Sequence, residues 1–239
     1  MASLKVNEIY SSIQGEGPNT GVATTFVRFG GCNLRCPGWG YGEQSDGTLI
    51  AGCDTVHAVD PSWRDTWLKM TPSEIASECE ETAMVTFTGG EPFIQPELPL
   101  AQLGMQLTER GHTLEIFTNG TKPIPKWVID LKDLVYIIMD CKLEGSGEYG
   151  KFEHLNLGLL KAQDTIKFVC KDYDDVNQAI NHIAAFQNFT EAQFSVGVVW
   201  NSPDLSEAEL AGIVTDDLDG VSLNIQMHKH IWNPNERRR

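Results

Sequence analysis

"TTFVRFGGCNLRC", residues 24–36, decides how the rest of the chain is read. Its first part, TTFVRF (24–29), is rich in β-branched and aromatic residues and reads as a strand. Two glycines follow it, and then Cys32 and Cys36, four positions apart. In parallel α/β folds, active residues gather where strands end, in loops of this kind. A third thiol, Cys53, arrives only after sixteen more residues, 37–52, rich in glycine and polar groups.

The same strand-then-loop pattern recurs along the chain. MVTFT (84–88), TLEIF (113–117), VYIIM (135–139), TIKFV (165–169), FSVGVVW (194–200) and VSLNIQM (221–227) have strand character. Several are nearly continuous in apolar residues, as strands covered on both faces tend to be. Helix-like segments lie between them. Thr71 reads as a cap, with Pro72 at the first helical position and Glu74 three residues after the cap. Val176, Ile180, Ile183 and Ala184 share one helical face, and Leu205, Leu210, Ile213 and Val214 share another. Alternating strand and helix predicts parallel βα units in an open sheet or a barrel. The segments after the strands are GGCNLRC, GGEP, TNG, DCKLEGSG and CKD, and they should converge on one mouth.

Bulk properties narrow the class. A chain of 239 residues with 41% hydrophobic and 21% charged residues reads as one soluble domain, 1–239. The longest apolar run, Leu134 to Met139, is far too short to span a bilayer, and MASLKVNEIY has no apolar signal core. No membrane role and a cytoplasmic location are therefore expected, and a reducing compartment disfavours structural disulfides. A net charge of −15 repels phosphate backbones, so no direct grip on nucleic acid is expected. The basic ending, NERRR, reads as a solvated tail.

Thiolates suit zinc or iron–sulfur clusters. A closed zinc site wants four ligands, and only His57 is near enough in sequence to complete the three thiols. A cluster that performs chemistry needs three ligands and one open iron, which three cysteines after the first recognised strand would satisfy. Cys79 and Cys170 fall on apolar faces of a helix and a strand and read as core; the thiol of Cys141 reads as a small buried hydrophobe.

Cys-x3-Cys-x2-Cys after a first barrel strand marks the radical S-adenosylmethionine enzymes. Here the second gap is sixteen residues instead of two. The framing residues nevertheless resemble one branch of that superfamily, the 7-carboxy-7-deazaguanine synthases. The resemblance lies in EIYSSIQGEGPNTGVATTFVRFGGCNLRC, CDT, TFTGGEP, FTNGT, DCKLEGSG and NIQMHKHIW, spanning residues 8–232. Widening the loop is three doublings, roughly 2 kcal/mol of closure entropy. That is small beside the ~10 kcal/mol scale of metal–thiolate binding.

The resemblance implies a partial, modified (β/α) barrel and a [4Fe-4S] cluster on Cys32, Cys36 and Cys53, with 37–52 as an insertion in the cluster loop. It implies S-adenosylmethionine beside Gly89, Gly90, Glu91, Asn119 and the triplet Asp140, Cys141 and Lys142, with Glu91 as an acceptor for the ammonium. Asn119 either touches the ribose or only shapes a turn. Thr55 is implied as a magnesium contact, or else caps the next turn. The substrate would meet Ile13, Gln14, Gly15, Glu16, Arg28, Thr88, His228 and Pro234, with Arg28 on its carboxylate. His228 and His230 would alternate on a strand end without a metal role. The insertion would be a compact excursion, turning at Asp46 and Gly47, with Trp39 and Tyr41 packed on something.

The implied reaction is ring contraction of 6-carboxy-5,6,7,8-tetrahydropterin to 7-carboxy-7-deazaguanine with loss of ammonia. The implied partners are the pterin, a flavodoxin-like electron donor and a second copy of the chain. Two rivals remain at this stage: a radical enzyme that activates a partner protein, and a non-enzymatic zinc module.

Overall fold

The computed structural model describes residues 3–79, 81–233 and 236–238. The chain begins with a strand the sequence reading passed over, β1 (Leu4–Ile13), and continues into β2 (Ala23–Phe29). Within the cysteine loop the insertion forms a hairpin, β3 (Tyr41–Glu43) and β4 (Leu49–Ala51). After it come α1 (Val56–Val59), β5 (Leu68–Met70), α2 (Pro72–Glu78), β6 (Met84–Gly89), α3 (Glu97–Glu109), β7 (Thr113–Thr118) and α4 (Lys126–Asp130). The last part comprises β8 (Val135–Asp140), β9 (Thr165–Cys170), α5 (Tyr173–Phe186), β10 (Gln193–Val198), α6 (Glu207–Asp217), β11 (Val221–Leu223) and α7 (Met227–Ile231).

One nine-stranded sheet runs in the order β11-β10-β9-β8-β7-β6-β2-β1-β5. From β2 to β11 every neighbouring pair is parallel. Parallel neighbours need a crossover between them, and most of these crossovers carry the helices. β1 and β5 extend the other side antiparallel. The result is an α/β open, partial barrel, as expected. Among the described residues, no helix is long and apolar enough to cross a membrane.

The two faces of the sheet differ, and the difference makes the site. Val27, Phe29, Val85, Phe87, Leu114, Ile116, Ile166 and Phe168 point to one face and form the core. Phe29 and Phe87 meet edge to face there, 5.4 Å between centroids. Their alternate neighbours Arg28, Thr86, Glu115, Asp140 and Lys167 belong to the opposite, inner face. The expectation of strands covered on both sides therefore needs correcting in one respect: one cover is apolar and the other is a buried polar layer. β1 escaped notice for the same reason. Leu4 and Val6 keep the period of two, but Glu8 then occupies the next buried position.

Local chemistry sets the helix starts. Thr71 Oγ1 accepts from Glu74 N at 3.4 Å while Glu74 Oε2 accepts from Thr71 N at 2.7 Å, the reciprocal cap expected. Asp172 caps α5 by accepting from Asp175 N. The buried face of α5 is Val176, Ala179, Ile183 and Phe186, whereas Ala184, expected on it, is exposed. Leu205 is buried, but it precedes α6.

The strand expected over 221–227 ends at Leu223. Asn224 turns away to accept from Gly17 N at 2.8 Å. His228 and His230 then lie on helix α7, not a strand, so they do not share a face.

Candidate active site

The carboxyl ends of the parallel strands open on a cleft of about 890 Å³. Loops after β2, β6, β7, β8, β10 and β11 reach it, because in-register parallel strands all end at the same edge. Cys32, Cys36 and Cys53 line one wall. Burial raises all three thiols, Cys36 to about 12; neighbouring thiols add to the rise at Cys32 and Cys36, and the Asp54 charge adds to it at Cys53. Metal binding would release those protons. Cys36 adopts a left-handed backbone, φ 46, which costs of order 1–3 kcal/mol and is typical of functional loops.

The donor set suits a cluster better than a single ion. Among the described residues, no three His, Cys, Asp or Glu side chains converge closely enough to hold one metal ion. A cluster instead takes one thiolate at each of several corners. His57, the candidate fourth zinc ligand, has its Nε2 3.4 Å from the Glu8 carboxylate. Thr55 begins α1 but makes no side-chain cap bond; its hydroxyl lies 3.5 Å from Cys53 Sγ and 3.4 Å from Gly89 O.

The GGEP turn packs directly on the cysteine loop. A Cβ at Gly90 would stand 1.7 Å from Gly31 O, so only glycine fits. Gly89 and Gly90 line the cleft. Glu91, expected as an acceptor for the ammonium, is not among the residues that line it. It is 0% exposed and accepts from Phe93 N and Thr118 Oγ1 through one oxygen, at 2.9 and 2.8 Å, and from Asn119 N through the other, at 2.7 Å. It ties the turn after β6 to the end of β7. Cys141 is likewise part of the core and absent from the cleft, with its thiol pushed up to about 12 by burial. Asp140 and Lys142 face the cleft as a pair, 2.7 Å apart. Lys142 Nζ also stands 3.7 Å from the ring centroid of Trp39, so Trp39 packs as expected. Tyr41 does not; it is 81% exposed.

The insertion is a closed hairpin. Its tip turns at Asp46 and Gly47, with Thr48 N donating to Asp46 Oδ1. Trp63 Nε1 donates to Glu43 O at 2.7 Å and pins the hairpin to the chain after α1.

The residues expected to meet the substrate share the cleft with the thiols. Ile13, Gln14, Gly15, Glu16, Arg28, Thr88 and His228 all line the cleft. Pro234 lies outside the described residues. Gln14 has both ends of its amide occupied: Oε1 accepts from Glu16 N, and Nε2 donates to Thr86 and Glu115. Glu115 behind it is raised to about 7 by burial, against the pull of its hydrogen bonds to Asn19, Thr86 and Gln14.

Arg28 gives Nε to Glu8 at 2.9 Å and a second nitrogen to the Tyr10 hydroxyl at 2.9 Å. Arg237 and Arg238 also reach Glu8, at 3.0 and 3.4 Å. Both arginines stay exposed, yet this part of the tail expected to be solvated pairs with Glu8. Burial pushes Glu8 upward, but the His57 contact and the Arg28 and Arg237 charges outweigh it and leave the carboxyl at about 2.

Several cleft residues were missed from sequence: Glu8, Asp54, Trp200, Lys229 and above all Lys167. Lys229 pairs with Asp54 at 2.7 Å. The available signal was a charge set at an alternate position within an apolar strand, as in TIKFV.

The 7-carboxy-7-deazaguanine synthase of Clostridium acetobutylicum is 34% identical over 238 residues, covering 98% of this chain and 99% of the relative. This chain belongs to the 7-carboxy-7-deazaguanine synthase family. The Methanospirillum hungatei member is 31% identical over 236 residues, covering 98% of this chain and 87% of its own length. No family model matches the chain. Among solved structures, QueE from Escherichia coli superposes with a TM-score of 0.68 at 20% identity, covering 95% of each chain. Streptococcus suis SuiB bound to precursor peptide SuiA gives 0.54 at 13% identity over 83% of this chain and 47% of that one. At those identities the two structures speak for the fold of the family, an α/β partial barrel.

Proposed function

We propose that this chain contracts the ring of 6-carboxy-5,6,7,8-tetrahydropterin to 7-carboxy-7-deazaguanine and releases ammonia. One observation carries the reading: three thiols and the polar side chains of Gln14, Glu16 and Arg28 line a single cleft. Cys32, Cys36 and Cys53 would hold a [4Fe-4S] cluster. The backbone of Gly89 and Gly90, with Asp140 and Lys142, would receive S-adenosylmethionine, and the Thr55 hydroxyl would meet Mg²⁺. When bound, cluster and S-adenosylmethionine supply radical hydrogen abstraction.

The chain's own residues do the rest. Glu16 keeps an ionised carboxylate, held at about 2 because Lys167 and Gln226 outweigh the upward push of burial. It offers acceptors to the N–H groups of a pterin edge. The Gln14 amide, locked at both ends, presents a fixed orientation to the same ring. Arg28 remains cationic and would steer the substrate carboxylate. Trp39 and Lys142 close one side against water, which matters because a reactive radical must meet only its substrate.

Anaerobic incubation with reductant, S-adenosylmethionine, Mg²⁺ and the carboxytetrahydropterin, followed by mass spectrometry, tests the reading. The expected product is 7-carboxy-7-deazaguanine. Cleavage of S-adenosylmethionine with no change in the pterin would favour the protein-activating rival, and uptake of zinc without iron and sulfide would favour the zinc module. A flavodoxin-like external electron donor and a homodimer belong to the same reading; light scattering checks the dimer.

A further inference from the structure

Asn119 leaves β7 with its side chain aimed at the cysteine loop. Its Nδ2 stands 3.7 Å from Cys32 Sγ and 3.0 Å from Asn33 Oδ1. Its Oδ1 accepts from Thr121 N at 3.1 Å and from Thr121 Oγ1 at 2.7 Å. A backbone N–H can only donate, so the amide cannot be the other way round: oxygen faces Thr121 and nitrogen faces the sulfur.

The orientation is locked twice more. Asn33 Nδ2 donates to Thr121 Oγ1 at 2.7 Å, so Asn33, Thr121 and Asn119 form a closed ring of side-chain hydrogen bonds. Such rings strengthen each member. Beneath the ring, the buried Glu91 carboxylate accepts from Asn119 N at 2.7 Å and fixes the backbone.

Cys32 is treated differently from its companions. It receives a second N–H, from Leu34 at 3.4 Å. Cys53 meets only Thr55, through its hydroxyl and its backbone N–H, and among the described residues the sulfur of Cys36 has no hydrogen-bond donor. A donor at a ligand sulfur stabilises the more negative, reduced state of an iron–sulfur cluster and so raises its reduction potential. The side chain of Asn119 is thus accounted for by one sulfur contact, one to Asn33 and two to Thr121, with no free end.

We propose that Asn119 is a positioning residue that raises the reduction potential of the cluster through an N–H···S hydrogen bond to Cys32, with Asn33 and Thr121 holding its amide in place. The proposal rests on the cluster reading above. The change it concerns is entry of one electron from an external reductant into the cluster, with no bond made or broken.

The test is a potentiometric titration of the reconstituted cluster, with dithionite as the electron source and the reduced signal followed by electron paramagnetic resonance. Asn119→Ala removes the donor, and Asn119→Asp keeps the shape while replacing the donor with an acceptor. Both are expected to bind as much iron as the parent but to need a more reducing potential, Asn119→Asp at least as far shifted as Asn119→Ala. Thr121→Val, which opens the ring, is expected to shift the same way by less. Parental potentials in Asn119→Ala and Asn119→Asp would overturn the proposal.

A second measurement needs no variant. Pulsed resonance on the reduced parent protein labelled with nitrogen-15 in its asparagine side chains is expected to show a nitrogen and an exchangeable proton coupled to the cluster. Their absence overturns the proposal even if the variants fail to load. Failure of the parent itself to take up iron and sulfide would instead sink the functional reading and the proposal with it.

Discussion

Lys167 Nζ stands 2.7 Å from Glu16 Oε2, joining the inner face of β9 to the loop between β1 and β2 across 151 residues of chain. Gln226 Nε2 donates to the other Glu16 oxygen at 2.8 Å. This buried pair shapes the cleft floor and bears on stability as well as on binding.

Removing the lysine leaves a carboxylate out of water without its counter-charge. Lys167→Met is expected to destabilise the fold by about 3–5 kcal/mol, the usual result of breaking a buried pair from one side. Adding Glu16→Gln should restore much of the loss. Urea denaturation of the three variants decides it; an unchanged midpoint in Lys167→Met would refute the assignment.

The same pair predicts a pH profile. Glu16 is depressed in the fold from 4.5 to about 2, so its contribution is full above 4.5 and is lost as pH falls from there toward 2. Lys167 is raised above 10.5: the charges of Glu16 and Asp140 outweigh burial's downward push. Its contribution is full below 10.5 and is lost as pH climbs through the raised value. The pair is one interaction seen from two ends, so the terms are not added. Stability of Glu16→Gln/Lys167→Met between pH 4.5 and 2 should fall less steeply than that of the parent; parallel slopes would count against this account.

Arg28 serves Glu8 and Tyr10 within the protein and still lines the cleft. Arg28→Ala is expected to weaken binding of the carboxytetrahydropterin by about 1.5–3 kcal/mol, the range for hydrogen bonds to charged groups. Arg28→Lys should recover little, since an ammonium cannot reproduce the guanidinium fork. Calorimetric titration of the pterin checks this, and equal affinity in parent and Arg28→Ala would remove Arg28 from the substrate site.

The ligand assignment separates the six cysteines into two classes. Alanine at Cys32, Cys36 or Cys53 should abolish full iron loading after anaerobic reconstitution. Alanine at Cys79 or Cys170, both fully buried in the core, should leave iron content intact and lower thermal stability instead. Full loading in Cys53→Ala together with loss in Cys79→Ala would reverse the assignment.

The hairpin insertion approaches the turn after β8 so closely that a Cβ at Gly38 would lie 1.7 Å from Gly145 O. Gly38→Ala must push the hairpin away from that turn. If the insertion shields the cluster, the variant should assemble it and lose it faster in air than the parent does, as followed by visible absorbance. Gly158→Ala, which meets nothing within 4 Å, is the control. Equal lifetimes in all three proteins would mean that the hairpin does not shield.

The sequence alone was enough for the parallel alternation of strand and helix, the cap at Thr71, the turn at Asp46 and Gly47 and the set of loops that share one mouth. These are local or topological matters: turn chemistry, periodicity and the common direction of parallel strand ends govern them. Tertiary structure alone decided which side chain answers to which. Glu91 looks like a cofactor acceptor in GGEP, yet it is buried and accepts from Phe93, Thr118 and Asn119. Arg237 and Arg238 look like a solvated tail, yet they meet Glu8 from the opposite end of the chain. Lys167 and Glu115 interrupt apolar strands, and Glu8 does the same in the overlooked β1. A charge in a strand reveals a cost in burial but not the partner that offsets it. That partner comes from distant sequence and is chosen only when the sheet curls and brings the inner faces together.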